Sequence, residues 1–329
     1  AIRFDFAVGL FCIILGALML WRAPALTDIL SVMIGLLVLV ALVPIEKRIE
    51  QKNGVALLPR SFLKTPQVLA GLAANALMFF FMGAQSILMA PYLQLVSGWS
   101  PIEVGTISIV TGVPTFALAL GIPKLLPKAN PRHVIQFGYV TMAAALIVMA
   151  ASVTSDGSKA MAVYLGAFLA GVGAGAVSAH ASNVVALALP ERDASQSGGI
   201  QSTMRNVGQA IGVALLGAIL LLGITNAVRA NAAEDPSISP QVSKEVSSLT
   251  IDLGSNEVFE EQISGIPMSD DERSQLVDIE ENARYNSVRI AYVAGAAIVL
   301  LGLATTPAIK ITSSDQRKPG KERKEGEGN

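Results

Sequence analysis

An all-α polytopic membrane protein with eight transmembrane helices is the fold this sequence predicts, and three observations carry the prediction. The chain is 52% hydrophobic and only 15% charged, with a mean hydropathy of +0.55, well outside the range of soluble domains. Its apolar residues gather into eight runs, each near the roughly 20 residues that a helix needs to cross about 30 Å of hydrocarbon. Those runs are continuous in Leu, Ile, Val, Ala and Gly, without the two-residue alternation of a barrel strand, so helices are the spanning solution.

The first two spans are expected at 4–22 and 26–45. Arg3 before an apolar run and Ala23-Pro24-Ala25 after it superficially resemble a cleaved signal peptide, but Asp5 interrupts the start and a second span follows at once. The chain also opens on alanine, and a fragment of a longer protein is the expectation that accounts for all three features. Cys12, the single cysteine, lies inside the first run, excludes an intramolecular disulfide and is expected to serve packing. Residues 46–66, EKRIEQKNGVALLPRSFLKTP, form a polar link whose exit is bracketed by Pro59 and Pro66.

The third span, 67–95, turns through Gly98 into the fourth, 101–122, with Pro101 suited to the first position of its helix. Spans at 132–153, 160–187 and 197–227 follow. Residues 228–285 hold 13 of the 25 acidic residues against four basic ones and are expected to form an acidic loop, partly helical. Ser269 and Glu272 make a capping box there, which starts a helix near 270 that leads toward the last span at 286–310. A turn or two of helix is expected between 240 and 262. The tail, 311–329, is charged and nearly devoid of apolar residues, which predicts disorder.

Net charge is −1, but the charges are segregated. Lys47, Arg48, Lys52, Arg60 and Lys64 lie in one loop, Lys124, Lys128 and Arg132 in another, and Lys310, Arg317, Lys318, Lys321, Arg323 and Lys324 in or beside the tail. The alternate short loops hold only Arg22 and Lys159. The positive-inside bias therefore predicts cytosolic positions for both ends of the chain and an external position for 228–285.

Arg205 lies within the seventh span, roughly 10 Å inside the apolar segment, where insertion scales charge about 2.5–3.5 kcal/mol for arginine. On a wheel of about 100° per residue, Gln201, Arg205, Gly208, Gln209 and Gly212 form one stripe of polar and small residues. Ile200, Met204, Val207, Ile211 and Leu215 take the other side. Arg205 must therefore face protein or water. Three roles are open to it: a structural donor to backbone carbonyls or to a loop carboxylate such as Asp193, a gate latch, or a contact for an anionic substrate; the first two are favoured, which makes Gln201, Arg205, Gly208, Gln209 and Gly212 the expected gating or helix-contact residues. Gly208 and Gly212 are expected to let a neighbouring helix approach closely.

On the third span, Gly71, Asn75, Met78, Met82, Ser86 and Met89 lie within about 60° of one line. Thioether side chains repack readily, so such a wall suits varied apolar ligands; ordinary interhelical packing is the other reading. On the sixth span Gly173, Ala176, His180 and Asn183 share a face, with Gly166 close by. Asn75, Met78, Met82, Ser86, Met89, His180 and Asn183 are thus the candidate cavity residues. His180 has the roles of substrate contact, proton relay and plain interhelical bond open to it.

Five segments together resemble the fourteen-spanner drug:proton antiporters of the major facilitator superfamily, of the multidrug and quaternary-ammonium efflux type. YLQLVSGWSPIEVG at 92–105 is similar to that family's Tyr-Leu-Gln, Gly-aromatic-Ser-Pro signature. FDFAVGL at 4–10 resembles the opening of its extra helix pair, and LLPRSFLK at 57–64 its cytosolic linker. PKLLPKANPRHV at 123–134 resembles a degraded loop motif, and SGGIQSTMRNVGQAIGVALLG at 197–217 the penultimate span. The likeness covers residues 1 to about 310.

The resemblance implies an organisation and an activity. Residues 1–45 would be the extra helix pair, 46–66 the cytosolic linker, and 67–227 the first five helices of a six-helix C-terminal half. Residues 228–285 would be an external loop and 286–310 the last helix, with the N-terminal six-helix half missing from this chain. The implied activity is secondary active efflux of drugs or other amphipathic small molecules across a bacterial inner membrane, driven by a proton gradient without a bound cofactor. Two departures from the family pattern matter. Pro123 and Pro127 stand where the loop motif carries Gly and Asp, leaving Lys128, Pro131 and Arg132, so a carboxylate latch cannot form there. Asp5, Asp28, Glu46 and Glu103 all lie near span ends, which moves the expected proton-coupling acid to the missing half.

An enzyme is disfavoured. Only His133 and His180 occur, with one cysteine, and the sequence holds no HExxH, GxSxG, phosphate loop or metal-ligand cluster. The expected partners are the lipid bilayer, a small-molecule substrate and the missing half, with no metal and no nucleic acid. The alternative to a transporter is a non-transporting scaffold or sensor whose external loop binds a partner.

Overall fold

A computed structural model describes residues 64–310, apart from 155, 156, 159, 190–196, 250 and 252. The chain divides into two compact units, Ala1–Lys64 and Thr65–Asn329, and the second carries nearly all the described residues. The spans expected at 4–22 and 26–45, Cys12, the link as far as residue 63 and the tail 311–329 lie outside them.

Among the described residues, six helices are long and apolar enough to cross a membrane. Helix α1 (Pro66–Pro91) runs into a π-helical turn, Tyr92–Val96, and α2 spans Pro101–Leu125. Helix α3 (Pro131–Ser152) meets α4 (Ala160–Leu187) through a two-residue antiparallel hairpin, β1 (Val153–Thr154) with β2 (Gly157–Ser158). Helix α5 (Ser197–Glu234) is followed by two short helices, α6 (Pro240–Ser248) and α7 (Asn256–Ile263). Helix α8 (Asp270–Leu301) ends in a 3-10 turn, Gly302–Ala308. The protein is an all-α polytopic membrane protein.

Local chemistry explains the helix starts. Pro66, Pro101 and Pro131 occupy first positions, where no backbone N–H is needed. Ser100 and Glu103 form a capping box, with the Glu103 amide donating to Ser100 Oγ at 3.3 Å and the Ser100 amide donating to Glu103 Oε2 at 2.8 Å. Gly98, at φ +69°, takes the left-handed conformation that the tight α1–α2 turn requires. The Ser269–Glu272 box starts α8 as its spacing predicts, with the corresponding bonds at 3.2 and 2.9 Å.

Glycines set the helix contacts. Helices α1 and α5 run parallel and touch backbone to backbone: a Cβ on Gly208 would overlap the Ala76 carbonyl, and one on Gly212 the Phe80 carbonyl. A Cβ on Gly83 would lie 2.5 Å from the Gln209 carbonyl oxygen. Helix α4 turns Gly173 toward Gly138 and Met142 of α3, and Gly171 and Gly175 toward Thr111, Pro114 and Thr115 of α2. It thereby packs on α2, α3 and α1 together.

The 38 residues of α5 make about 57 Å of helix, far more than the roughly 30 Å of hydrocarbon, and α8 overshoots likewise. Helices α6 and α7 pack on this overshoot, and Ile238, Val242, Val246, Ile251, Phe259 and Ile263 continue the core of the bundle. The helix expected between 240 and 262 is two helices because side chains of α5 hold the chain between them. Arg229 Nη2 donates to the Leu249 carbonyl at 2.7 Å, and the Ile251 amide donates to Thr225 Oγ1 at 3.2 Å. From α8, Arg284 donates to the Gly254 carbonyl and to Asn256 Oδ1, the latter at 2.6 Å, and pairs with buried Glu280 at 3.4 Å. Hydrogen bonds from the Ser237 hydroxyl and amide, and from Gln275, hold the Asp235 carboxyl below the usual carboxylate range.

Three substitutions test this packing. Gly208→Leu is expected to cost about 1–3 kcal/mol through overpacking, read as a lower melting temperature in detergent. Gly112→Ala, which meets nothing within 4 Å, is expected to be neutral or to gain up to about 1 kcal/mol. Arg284→Met strands the Glu280 carboxylate and is expected to cost about 3–5 kcal/mol, opening 249–256 to protease. Adding Glu280→Gln should recover much of that protection; equal cleavage of the single and double variants would argue against a buried pair.

Candidate functional site

Helix α1 lies between α4 and α5, and its residues sort by which neighbour they meet. Gly71 packs against Val184 and Val185 of α4, and Ser178 Oγ of α4 donates to Met78 Sδ at 3.0 Å. Ala76, Phe80 and Gly83 meet α5. At about 100° per residue these two shoulders lie on either side of a strip that carries Asn75, Met82 and Ser86.

Arg205 crosses that strip. Its Nε donates to Asn75 Oδ1 at 3.1 Å and its Nη2 donates to Ser182 Oγ of α4 at 3.0 Å. The guanidinium carbon lies 5.7 Å from the centre of the Phe79 ring. Beneath it, Asn75 Nδ2 donates to the Gly71 carbonyl at 3.1 Å and to Gln201 Oε1 at 3.4 Å, while Gln201 Nε2 donates to Ser197 Oγ at 2.8 Å. Asn75 is 2% exposed and Gln201 5%. Arg205 stands eight residues from the start of α5, about 12 Å along its axis. Three helices thus contribute to one polar cluster inside the apolar spans.

Every acceptor in this cluster is neutral. Among the described residues no carboxylate pairs with Arg205; Asp193, the acid considered for that role, lies outside them. Arg284, by contrast, has Glu280 beside it.

The remaining expected site residues are distributed unevenly. Met82 and Ser86 are exposed on the strip, with the Ser86 hydroxyl turned back to the Gly83 carbonyl at 2.8 Å. Met78 is buried beneath α4 and Met89 packs against the core, so the methionine face is not a continuous open wall. Met78 is covered because α4 lies on that shoulder of α1, a fact that a single-helix wheel does not contain. His180 is 2% exposed, about half a turn around α4 from Ser178 and Ser182. It lies on the side that presents Gly173 and Val177 to α3, away from the strip. Asn183 is exposed, and Gln209 is too, meeting α1 through its carbonyl at Gly83.

In the α2–α3 turn, Lys128 is exposed, Pro131 is buried at the head of α3, and the Arg132 amide donates to Asn130 Oδ1 at 3.0 Å. None of the three belongs to the Arg205 cluster. Sequence reading missed Ser182, Ser197 and Phe79. Two spacings carried a signal: Ser197, Gln201 and Arg205 recur every four residues, as do Ser178 and Ser182, so each set shares a helix face.

The cluster lies within the part of the chain that known families match: a model described as the Major Facilitator Superfamily covers residues 4–213. The chain belongs to the Major Facilitator Superfamily. This facilitator chain is also similar to a protein of Streptomyces coelicolor described as a probable actinorhodin transporter, at 26% identity over 207 residues. The match takes in 62% of this chain and 35% of that relative, so the chain spans about a third of the relative's length.

Direct coupling of Arg205 to Asn75 is testable by a double-mutant cycle. Arg205→Gln and Asn75→Ala, singly and together, should give a coupling energy of about 0.5–3 kcal/mol in thermal unfolding. Arg205→Gln with Gly112→Ala should be additive.

Proposed function

We propose that this chain is the C-terminal part of a secondary active transporter that exports amphipathic small molecules by alternating access. The observation that carries the reading is the strip on α1, apolar and open at Met82, polar and bridged by Arg205 at Asn75, within a facilitator-family chain. A surface of this kind offers a flexible thioether and a few placed donors, which suits ligands that share amphipathic character rather than one shape. The relative described as a probable actinorhodin transporter supports a transport role.

In this reading residues 1–45 form a leading helix pair and 46–66 a cytosolic linker, and 67–227 with 286–310 supply six helices of the transport core. The substrate passes between these six and an N-terminal half of the same protein. That half also carries the carboxylate that couples efflux to a proton gradient, since α1 to α5 hold Glu103 and Glu234 alone as acids, each at a helix end. Both ends of the chain are cytosolic, and 228–285, with α6 and α7, is external, at the bacterial inner membrane.

Counterflow in proteoliposomes tests the proposal. Full-length protein should exchange a labelled amphipathic probe, 1-naphthoate or tetraphenylphosphonium, and residues 1–329 alone should not. Well-folded full-length protein that exchanges neither would favour a non-transporting scaffold whose folded 228–285 segment binds a partner. Because Met82 is open and Met89 packs inward, Met82→Ile should change relative probe affinities by roughly threefold or more. Met89→Ile should act on stability instead.

A further inference from the structure

We propose that the Arg205 cluster binds the carboxylate of an anionic, aromatic amphiphile. The inference rests on the transport reading above for the ligand's passage, and adds to it the chemical class of the ligand.

Three observations meet at this point. First, a guanidinium has five N–H donors, and two of the bonds Arg205 makes, from Nε to Asn75 and from Nη2 to Ser182, fix its plane and position. The remaining donors are on the two terminal nitrogens, and Nη1 has no partner among the described residues. Paired terminal nitrogens match the two oxygens of a carboxylate. Second, the cluster brings no negative charge: Asn75, Ser182, Gln201 and Ser197 are neutral, and the Phe79 ring covers the cation without cancelling it. A cation held about 12 Å from the start of a membrane-spanning helix, among neutral groups, attracts an anion and repels a cation.

Third, the neighbouring surface has the right character for the rest of such a ligand. Met82 is 44% exposed, and it follows Asn75 by seven residues, about 10 Å along α1. Thioethers favour contact with aromatic edges, so Met82 offers an apolar partner on the same strip. A carboxylate held at Arg205 leaves the aromatic body to the strip that carries Met82 and, one turn farther on, Ser86. The Ser197–Gln201–Asn75 chain acts as a positioning relay, since it orients the Asn75 amide that orients Arg205.

The anion has two possible sources, a ligand or an acidic side chain of the N-terminal half, and the full-length protein separates them. Thermal stabilisation of purified full-length protein in detergent is measured against 1-naphthoate and its neutral isostere 1-naphthamide. Naphthoate should stabilise the protein in a dose-dependent way, with naphthamide weaker by roughly tenfold or more. Arg205→Gln should weaken naphthoate binding by a similar factor and naphthamide binding far less, while Arg205→Lys falls between.

Equal stabilisation by naphthoate and naphthamide overturns the proposal, with no variant required. So does naphthoate binding that survives Arg205→Gln, or absence of naphthoate binding in the wild type, the result expected if a protein carboxylate already neutralises Arg205. Counterflow of tetraphenylphosphonium that naphthoate leaves untouched would overturn the anion site and keep the transport reading. Arg205-dependent naphthoate binding without counterflow of any probe would keep the site and sink that reading.

Discussion

The close contact between α1 and α5 is the constraint on which the site depends. Lipid tails are as apolar as leucine, so two helices in a bilayer gain little from hydrophobic burial and need close packing to hold together. Gly208 and Gly212 supply it by setting the backbone of α5 on the Ala76 and Phe80 carbonyls, and Gly83 returns the contact from α1. With the axes this near, a side chain rooted on α5 spans the exposed strip of α1 and ends on Ser182 of α4. A bulkier residue at either glycine would move α5 outward and leave Arg205 short of α4 and misaligned over Asn75. The polar cluster is therefore a product of packing, and its geometry is as rigid as the glycine contact.

Two arginines in the bundle show how differently the same side chain is handled. Arg284 lies where α8 leaves the apolar core, is 3% exposed, and has a carboxylate, a carbonyl and an amide oxygen around it. Its charge is spent on holding the chain between α6 and α7. Arg205 has only neutral acceptors and an aromatic ring. Burying a cation among neutral groups costs more than burying it beside an acid, so retaining its net charge is the costlier arrangement for the folded state. The difference separates a residue whose work is structural from one that still presents charge to the open strip.

Much of the fold was legible in the sequence because hydrocarbon thickness fixes helix length, and an apolar run of that length has few other fates. The Ser269–Glu272 box marked the start of α8, and Gly98 with Pro101 marked the turn between α1 and α2. The same reading overlooked Ser100–Glu103, an identical signal hidden at the end of a span. The site was legible by half. A helix wheel shows which residues share a face, as with Gln201, Arg205, Gly208 and Gly212, but not which neighbour covers that face. The methionine face of α1 is divided for this reason: Met78 falls under α4, and Met82 falls between α4 and α5. His180 is buried on the opposite side of α4 for the same reason, and Ser182, one i+4 step from Ser178, became the terminus of the cluster.

The joints of the bundle differ in what it costs to open them, and the difference indicates where it can rearrange. Separating α1 from α5 would expose several backbone surfaces that glycines have matched along three turns, a loss of many small contacts at once. Separating α4 from α3 or α2 would undo comparable fits at Gly173, Gly171 and Gly175. Between α4 and α5 the direct polar link among the described residues is the Arg205–Ser182 hydrogen bond, worth about 1.5–3 kcal/mol for a charged donor. Helix α1 is thus held on both flanks, by α5 through the glycine contacts and by α4 through Gly71 and Met78, and Arg205 bridges the two neighbours across it.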